Sequence, residues 1–189
     1  MIEQHPLEPF LPPGARILFL GSFPPPRNRW CMDFYYPNFQ NDMWRIMGLI
    51  FFNDPLHFVK GKCFDRDEIR AFCTAQGIAL YDTAQAVIRK SNNASDSQLQ
   101  VVSPLDLKGL LAKIPDCDNI VVTGQKAADT LFQVLNESPV PAPGQSGDLS
   151  LGDRPLRIWR MPSTSRAYPM KLELKAEAYR GMFQSIKRF

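Results

Sequence analysis

The sequence predicts an α/β protein in three layers, with helices on both faces of a short, mainly parallel central sheet. Three observations carry this reading. Short apolar runs alternate along the chain with longer amphipathic segments, the order of strand and crossover helix. The runs show no polar alternation, so each reads as a strand buried on both faces. The length of 189 residues suits one domain, residues 1–189, with a sizeable core.

The elements follow in order. "ARILFLGS" (15–22) reads as the first buried strand, ended by Gly. "NDMWRIMGLIFF" (41–52) reads as a helix, because Trp44, Met47 and Ile50 fall on one face. "DRDEIRAFCTAQG" (65–77) has acids in its first turn and a Gly stop, so it is a second helix. "IALYD" (78–82) is a short strand, and "KSNNASDSQLQ" (90–100) a polar loop. Ser103 followed by Pro104 looks like a helix cap and first helical position, predicting a helix to about Lys113. "NIVVTG" (119–124) is a strand and "QKAADTLFQVL" (125–135) the helix after it. "NESPVPAPGQSGD" (136–148) reads as a loop with little capacity for regular structure. "LRIWRM" (156–161) is the last strand. "KLELKAEAYRGMFQSIKR" (171–188) is the last helix, with Leu174, Ala178, Met182 and Ile186, or a neighbouring row, facing inward.

Composition narrows the class. Hydrophobic content of 44% with 22% charged residues is ordinary globular composition. No apolar run reaches membrane-spanning length, and Met1–Phe10 lacks the features of a signal peptide, so a soluble cytoplasmic protein is expected. Cys31, Cys63, Cys73 and Cys117 are scattered, with no CxxC and no nearby histidine pair, which speaks against zinc and a disulfide framework. The net charge of +3 conceals an asymmetry: from Arg154 to Phe189 there are nine Lys/Arg against two Glu. A basic end on a slightly acidic body suggests a patch for a polyanion; a solvated helix face is the alternative.

In a parallel sheet, ligands bind outside the carboxyl ends of the strands. Three loops leave those ends here, at 23–36, 82–97 and 162–169. The first leads through "DFYYPNFQNDMW" (33–44), where five aromatic residues are interleaved with Pro37, Asn38, Gln40 and Asn41. The third holds "PSTSRAYP" inside the basic end. Rings, amides, hydroxyls and cations thus converge on one rim, which suits a base attached to a phosphate chain.

The ordered set "ILFLGSFPPP", "FYYPNFQNDMW", "VVTGQKA", "RMPSTSRAYP" and "EAYRGMF" resembles the uracil-DNA glycosylase superfamily over nearly the whole chain, most closely its hypoxanthine-type and mismatch-specific branches. Gly21 and Pro24 fall on the Gly-x-x-Pro of the first motif. Asn41 and Trp44 fall on an Asn-x-Phe-Trp element, with Met43 in place of Phe. The resemblance implies a uracil-DNA glycosylase-like fold and a monofunctional DNA glycosylase of base-excision repair. Such an enzyme acts on DNA containing a flipped, deaminated base (hypoxanthine, xanthine or uracil), as a monomer without metal or cofactor. It implies that Asn41 carries the polar catalytic part, that Gly21, Ser22, Phe23, Pro24 and Tyr36 hold the base, and that Ser163, Thr164, Ser165 and Arg166 contact DNA. Arg166, Ala167 or Tyr168 falls where relatives push a wedge into the duplex, and Arg166 suits that part best. Ser95 and Asp96 match a loop element of the hypoxanthine-type branch.

There are departures. Phe23 stands where uracil-removing branches carry an Asn or Asp, and "PSTS" replaces a motif that often holds histidine; His5 and His57 lie outside every motif. Asn41 could also cap the helix after it, Ser163–Ser165 could be turn residues, and Lys171 and Lys175 could line a wet helix face. Two rivals stay open: a DNA- or nucleotide-binding protein that keeps the fold without the chemistry, and a small-nucleotide hydrolase. Pro24, Pro25 and Pro26 weigh against the latter, because they remove the backbone N–H groups of a phosphate cradle.

Overall fold

The structure, a computed structural model, describes residues 1–90 and 99–186. Four parallel strands form its centre: β2 (Ile17–Gly21), β5 (Ile78–Asp82), β8 (Asn119–Thr123) and β10 (Arg154–Met161). β9 (Gln145–Leu151) closes one edge antiparallel to β10, giving the order β5-β2-β8-β10-β9. Every residue of β2, β5 and β8 is buried, which is why each reads as an unbroken apolar run. The edge strand β9 instead alternates between exposed and half-buried residues.

Among the described residues, five α-helices accompany this sheet: α1 (Met43–Phe52), α2 (Arg66–Ala75), α3 (Leu107–Ala112), α4 (Gln125–Leu135) and α5 (Leu172–Ser185). α1 packs on α5, α2 on β5 and α4 on β8. Local chemistry fixes their ends. The Asp65 carboxylate accepts from the Asp67 and Glu68 N–H groups to start α2. Asn53 and Asn136 end α1 and α4 in the left-handed conformation. In the core, the Phe19 ring of β2 stacks on Tyr179 of α5, with centroids 6.4 Å apart. The Tyr179 hydroxyl donates to the Pro162 carbonyl at 2.8 Å, tying α5 to the loop after β10.

Several expectations are corrected. No helix starts at Ser103–Pro104. β7 (Leu99–Pro104) runs through those residues, and α3 begins after Asp106, whose carboxylate accepts from the Gly109 N–H at 2.9 Å. The loop expected over 82–97 contains β6 (Ala84–Arg89), and the loop expected over 136–148 ends in β9. Together with β1 (Ile2–Gln4), β6 and β7 form a second, antiparallel sheet in the order β1-β6-β7. A short hairpin joins β3 (Val59–Lys60) and β4 (Cys63–Phe64). α5 presents the neighbouring row: Ala176, Tyr179, Met182 and Phe183 are buried, whereas Leu174 is 52% exposed. No helix among the described residues is long and apolar enough to cross a membrane.

Burial pushes the phenols of Tyr35, Tyr36 and Tyr179 above their ordinary value of 10.0. Above that pH the unfolded chain releases these protons and the folded chain keeps them. Their contribution is therefore full below about pH 10 and declines as pH rises further. Urea unfolding at about pH 10.5 is expected to show a lower midpoint than at about pH 8, and replacing Tyr179 by Phe should shrink the difference.

Candidate nucleotide-base cavity

The parallel strands end level with one another. Gly21 pairs with Asp82, Leu20 with Val122, and Thr123 with Met161. Outside these ends lies a cavity of about 630 Å³, within the usual size of a small-molecule site. Gly21, Ser22, Phe23, Pro24, Tyr36, Asn41, Ser163, Thr164, Ser165 and Arg166 all line it, so the fold brings every candidate of the three motifs together. Ser95 and Asp96 lie outside the described residues.

The aromatic stretch divides its rings between core and cavity. Phe34, Tyr35 and Trp44 are buried. The Tyr35 hydroxyl donates to the Glu8 carbonyl at 2.8 Å, and the Trp44 indole N–H to the Tyr35 carbonyl at 3.1 Å. Phe39 lies under the Arg45 guanidinium, 4.5 Å from its carbon. Tyr36 turns the other way, into the cavity, through a left-handed backbone with φ of 51° that a bulky side chain rarely adopts. Its ring stands edge-on to Trp44, and its hydroxyl is 3.2 Å from Thr123 Oγ1. An aromatic residue held in a sparsely populated conformation at a cavity wall points to a functional constraint.

Gly21 forms part of the wall because nothing larger fits. A Cβ there would lie 2.4 Å from Asp82 Oδ1 and 3.7 Å from the Tyr36 hydroxyl. Gly21→Ala is expected to displace the Asp82 carboxylate and lower stability by about 1–3 kcal/mol, read as a drop in Tm. It should also reduce binding of whatever ligand the cavity takes.

Asn41 stands two residues before α1, ahead of the cap position Asp42. Its Oδ1 accepts from the Met43 N–H at 2.9 Å, so it holds the first helical residue as the capping alternative expects, from one position further out. Its Nδ2 makes no bond among the described residues, which leaves a donor at the cavity. A short backbone bridge joins Asn41 to Ser165, and the Asp42 N–H donates to the Thr164 carbonyl at 2.8 Å. Ser163 Oγ accepts from the Ser165 N–H and Ser165 Oγ from the Ala167 N–H, both at 3.2 Å, the hydrogen bonds of serine turns.

The loop is further held by a buried charge cluster that no motif indicates. The Asp42 carboxylate receives Arg166 Nε at 3.1 Å on one oxygen and Lys175 Nζ at 3.0 Å on the other. Lys175 also donates to the Ser165 carbonyl at 2.8 Å and is 0% exposed, which corrects its reading as a wet helix face. Arg166 NH1 donates to Gln40 Oε1 at 2.9 Å. Its guanidinium remains partly open to solvent but is oriented before any ligand arrives.

Phe23 is 8% exposed and packs on Ala84, Val87 and Leu99, so the second sheet braces the loop after β2. Arg89 of β6 donates to the Pro24 carbonyl at 2.9 Å while paired with Glu3 of β1. His5 also enters the site, with its Nε2 2.8 Å from Asp82 Oδ2. Neither His5 nor Asp82 carries a motif signal. Only the position of Asp82 at a carboxyl strand end could have suggested it.

No protein-family model matches the chain, and no curated protein matches it. Among solved structures it is similar to the solution NMR structure of a "putative uracil DNA glycosylase" from Methanosarcina acetivorans, with a TM-score of 0.66 and 20% identity over 100% of both chains. The fold is uracil-DNA glycosylase-like. In this fold the cavity lies over the carboxyl ends of the parallel strands, between the first loop and the loop after β10.

Proposed function

We propose that the chain is a monofunctional DNA glycosylase that hydrolyses the N-glycosidic bond of a flipped, deaminated base: hypoxanthine, xanthine or uracil. One observation carries the reading: in a glycosylase-like fold, a single cavity gathers a ring (Tyr36), an amide donor (Asn41) and a hydroxyl loop ending in a cation (Ser163–Arg166). A base must leave the stack to reach such a cavity. Stacking on Tyr36 would offset about 1–3 kcal/mol of that cost. As the bond breaks, the sugar becomes positive and the base negative, and a fixed donor such as Asn41 Nδ2 stabilises the departing anion. Among the described residues no lysine lines the cavity, and the Lys175 amine is committed to Asp42 and Ser165. Water is the nucleophile in this reading, as in a monofunctional enzyme.

Arg166 and the hydroxyls beside it take the DNA backbone in this reading. Arg166→Ala should weaken binding to damaged and undamaged duplex alike and lower the salt slope of log K by about one. An equal loss on single strands would leave the phosphate contact standing and remove the wedge role.

The discriminating assay uses duplexes bearing hypoxanthine, xanthine or uracil, incubated with the protein and then treated with alkali. Strand scission after alkali, and none before it, is expected for at least one base. Phe23, in the place where the uracil-removing branches that the chain resembles carry Asn or Asp, favours one rival, a DNA-binding protein without chemistry. Tight binding with no scission of any substrate at high enzyme would select that rival.

A further inference from the structure

Among the described residues, Asp82 is the one carboxylate lining the cavity, and the chemistry above leaves it unused. It ends β5 beside Gly21 and is 7% exposed. A carboxylate only accepts hydrogen bonds, so the His5 proton facing it lies on Nε2 and is donated to Oδ2 at 2.8 Å. The His5 side chain is 3% exposed. Its ring is edge-on to Phe23 at 5.3 Å and 4.8 Å from Tyr81, and its Nδ1 accepts from the Leu7 N–H at 3.2 Å. The imidazole is thus fixed on every side, and it fixes Oδ2. The second oxygen, Oδ1, lies over Gly21, where an added Cβ would meet both it and the Tyr36 hydroxyl.

We propose that Asp82, oriented by His5, selects hypoxanthine over adenine and uracil over cytosine by accepting the ring N–H that deamination creates. The inference rests on the glycosylase reading and names how its substrate class is chosen. Adenine N1 and cytosine N3 present lone pairs, which a carboxylate repels. Deamination turns both into N–H donors next to a new carbonyl oxygen. A carboxylate facing the N–H and an amide donor facing the carbonyl complement that edge, and a charge-assisted bond shielded by the bound base is the strong kind. Guanine and thymine carry the same N–H, so this acceptor separates hypoxanthine from adenine and uracil from cytosine. Exclusion of guanine and thymine falls to the cavity walls. His5 is a positioning residue: it touches no base and acts through Asp82.

The test uses the full chain and duplexes carrying uncleavable 2′-fluoroarabino hypoxanthine or adenine, with the ratio of the two Kd values as readout. In Asp82→Asn, His5 still claims the oxygen and turns the amide NH2 toward the cavity, a donor where the acceptor was. The preference for hypoxanthine is expected to fall about 10- to 100-fold. His5→Ala should lower it in part, and His5→Gln, which keeps an N–H donor, should restore it. This pair of variants reads the same ratio if Asp82→Asn does not fold. An unchanged ratio in Asp82→Asn, or in His5→Ala where only that pair folds, overturns the inference. So does a loss of excision on the corresponding cleavable hypoxanthine duplex with the Kd ratio kept, which would assign Asp82 to the chemical step. A wild-type protein that excises no base and binds both duplexes alike overturns the glycosylase reading itself.

Discussion

Asn41→Ala is expected to lower the rate of base excision by about 10²- to 10³-fold while DNA affinity stays within a few-fold. The amide donates to a base whose negative charge appears only as the glycosidic bond breaks, so its loss affects the transition state more than the bound ground state. The same substitution removes the bond from the Met43 N–H, and a helix cap contributes about 1 kcal/mol. Asn41→Asp separates the two parts. It keeps an oxygen for Met43 and loses the donor, so it should unfold like the wild type and excise like Asn41→Ala. Single-turnover rates set beside thermal melts read both. An Asn41→Asp protein with native excision would move the chemistry elsewhere, with Ser163 next in line.

Lys175→Met should be the most destabilising single change in the site, by about 3 kcal/mol. Methionine fits the volume of the lysine stem but leaves Asp42 buried with one cation fewer, and removing one partner of a buried pair costs about 3–5 kcal/mol. Arg166 remains on the other oxygen and keeps the loss toward the lower end. Adding Asp42→Asn removes the stranded charge, and the double variant should recover part of the loss. Urea denaturation of the two single variants and the double variant gives the coupling directly. Additive losses would show that the pair contributes nothing beyond its separate parts.

The central sheet was legible because burial on both faces leaves an unmistakable mark. Ile17–Gly21, Ile78–Asp82 and Asn119–Thr123 are short apolar runs with no polar partner face. Half-exposed antiparallel strands leave weaker marks. Leu99–Pro104 is paired with β6, yet its Ser-Pro end imitates a helix start; the pairing that overrides the local signal lies elsewhere in the sequence. The candidate site was legible where it is made of loops with distinctive residues, as at Tyr36, Asn41 and Ser163–Arg166. It was hidden where distant charges meet. Lys175 looks like any helix-face lysine until Asp42, far back in the chain, is brought against it. His5 precedes every motif, and only the second sheet carries it to Asp82.

The ties that complete the cavity join residues far apart in sequence: His5 to Asp82 across 77 positions, Asp42 to Arg166 across 124 and to Lys175 across 133. Contacts of such separation pay loop-closure entropy before they gain anything. Each tie is a small number of polar contacts at the rim, whereas β2 and β8 are joined by a continuous run of backbone pairing, so the rim opens more readily than the sheet in the folded protein. Amides of residues 40–42 and 163–168 should exchange with solvent through partial openings that leave β2 and β8 protected. A bound DNA would slow exchange at the rim more than in the sheet.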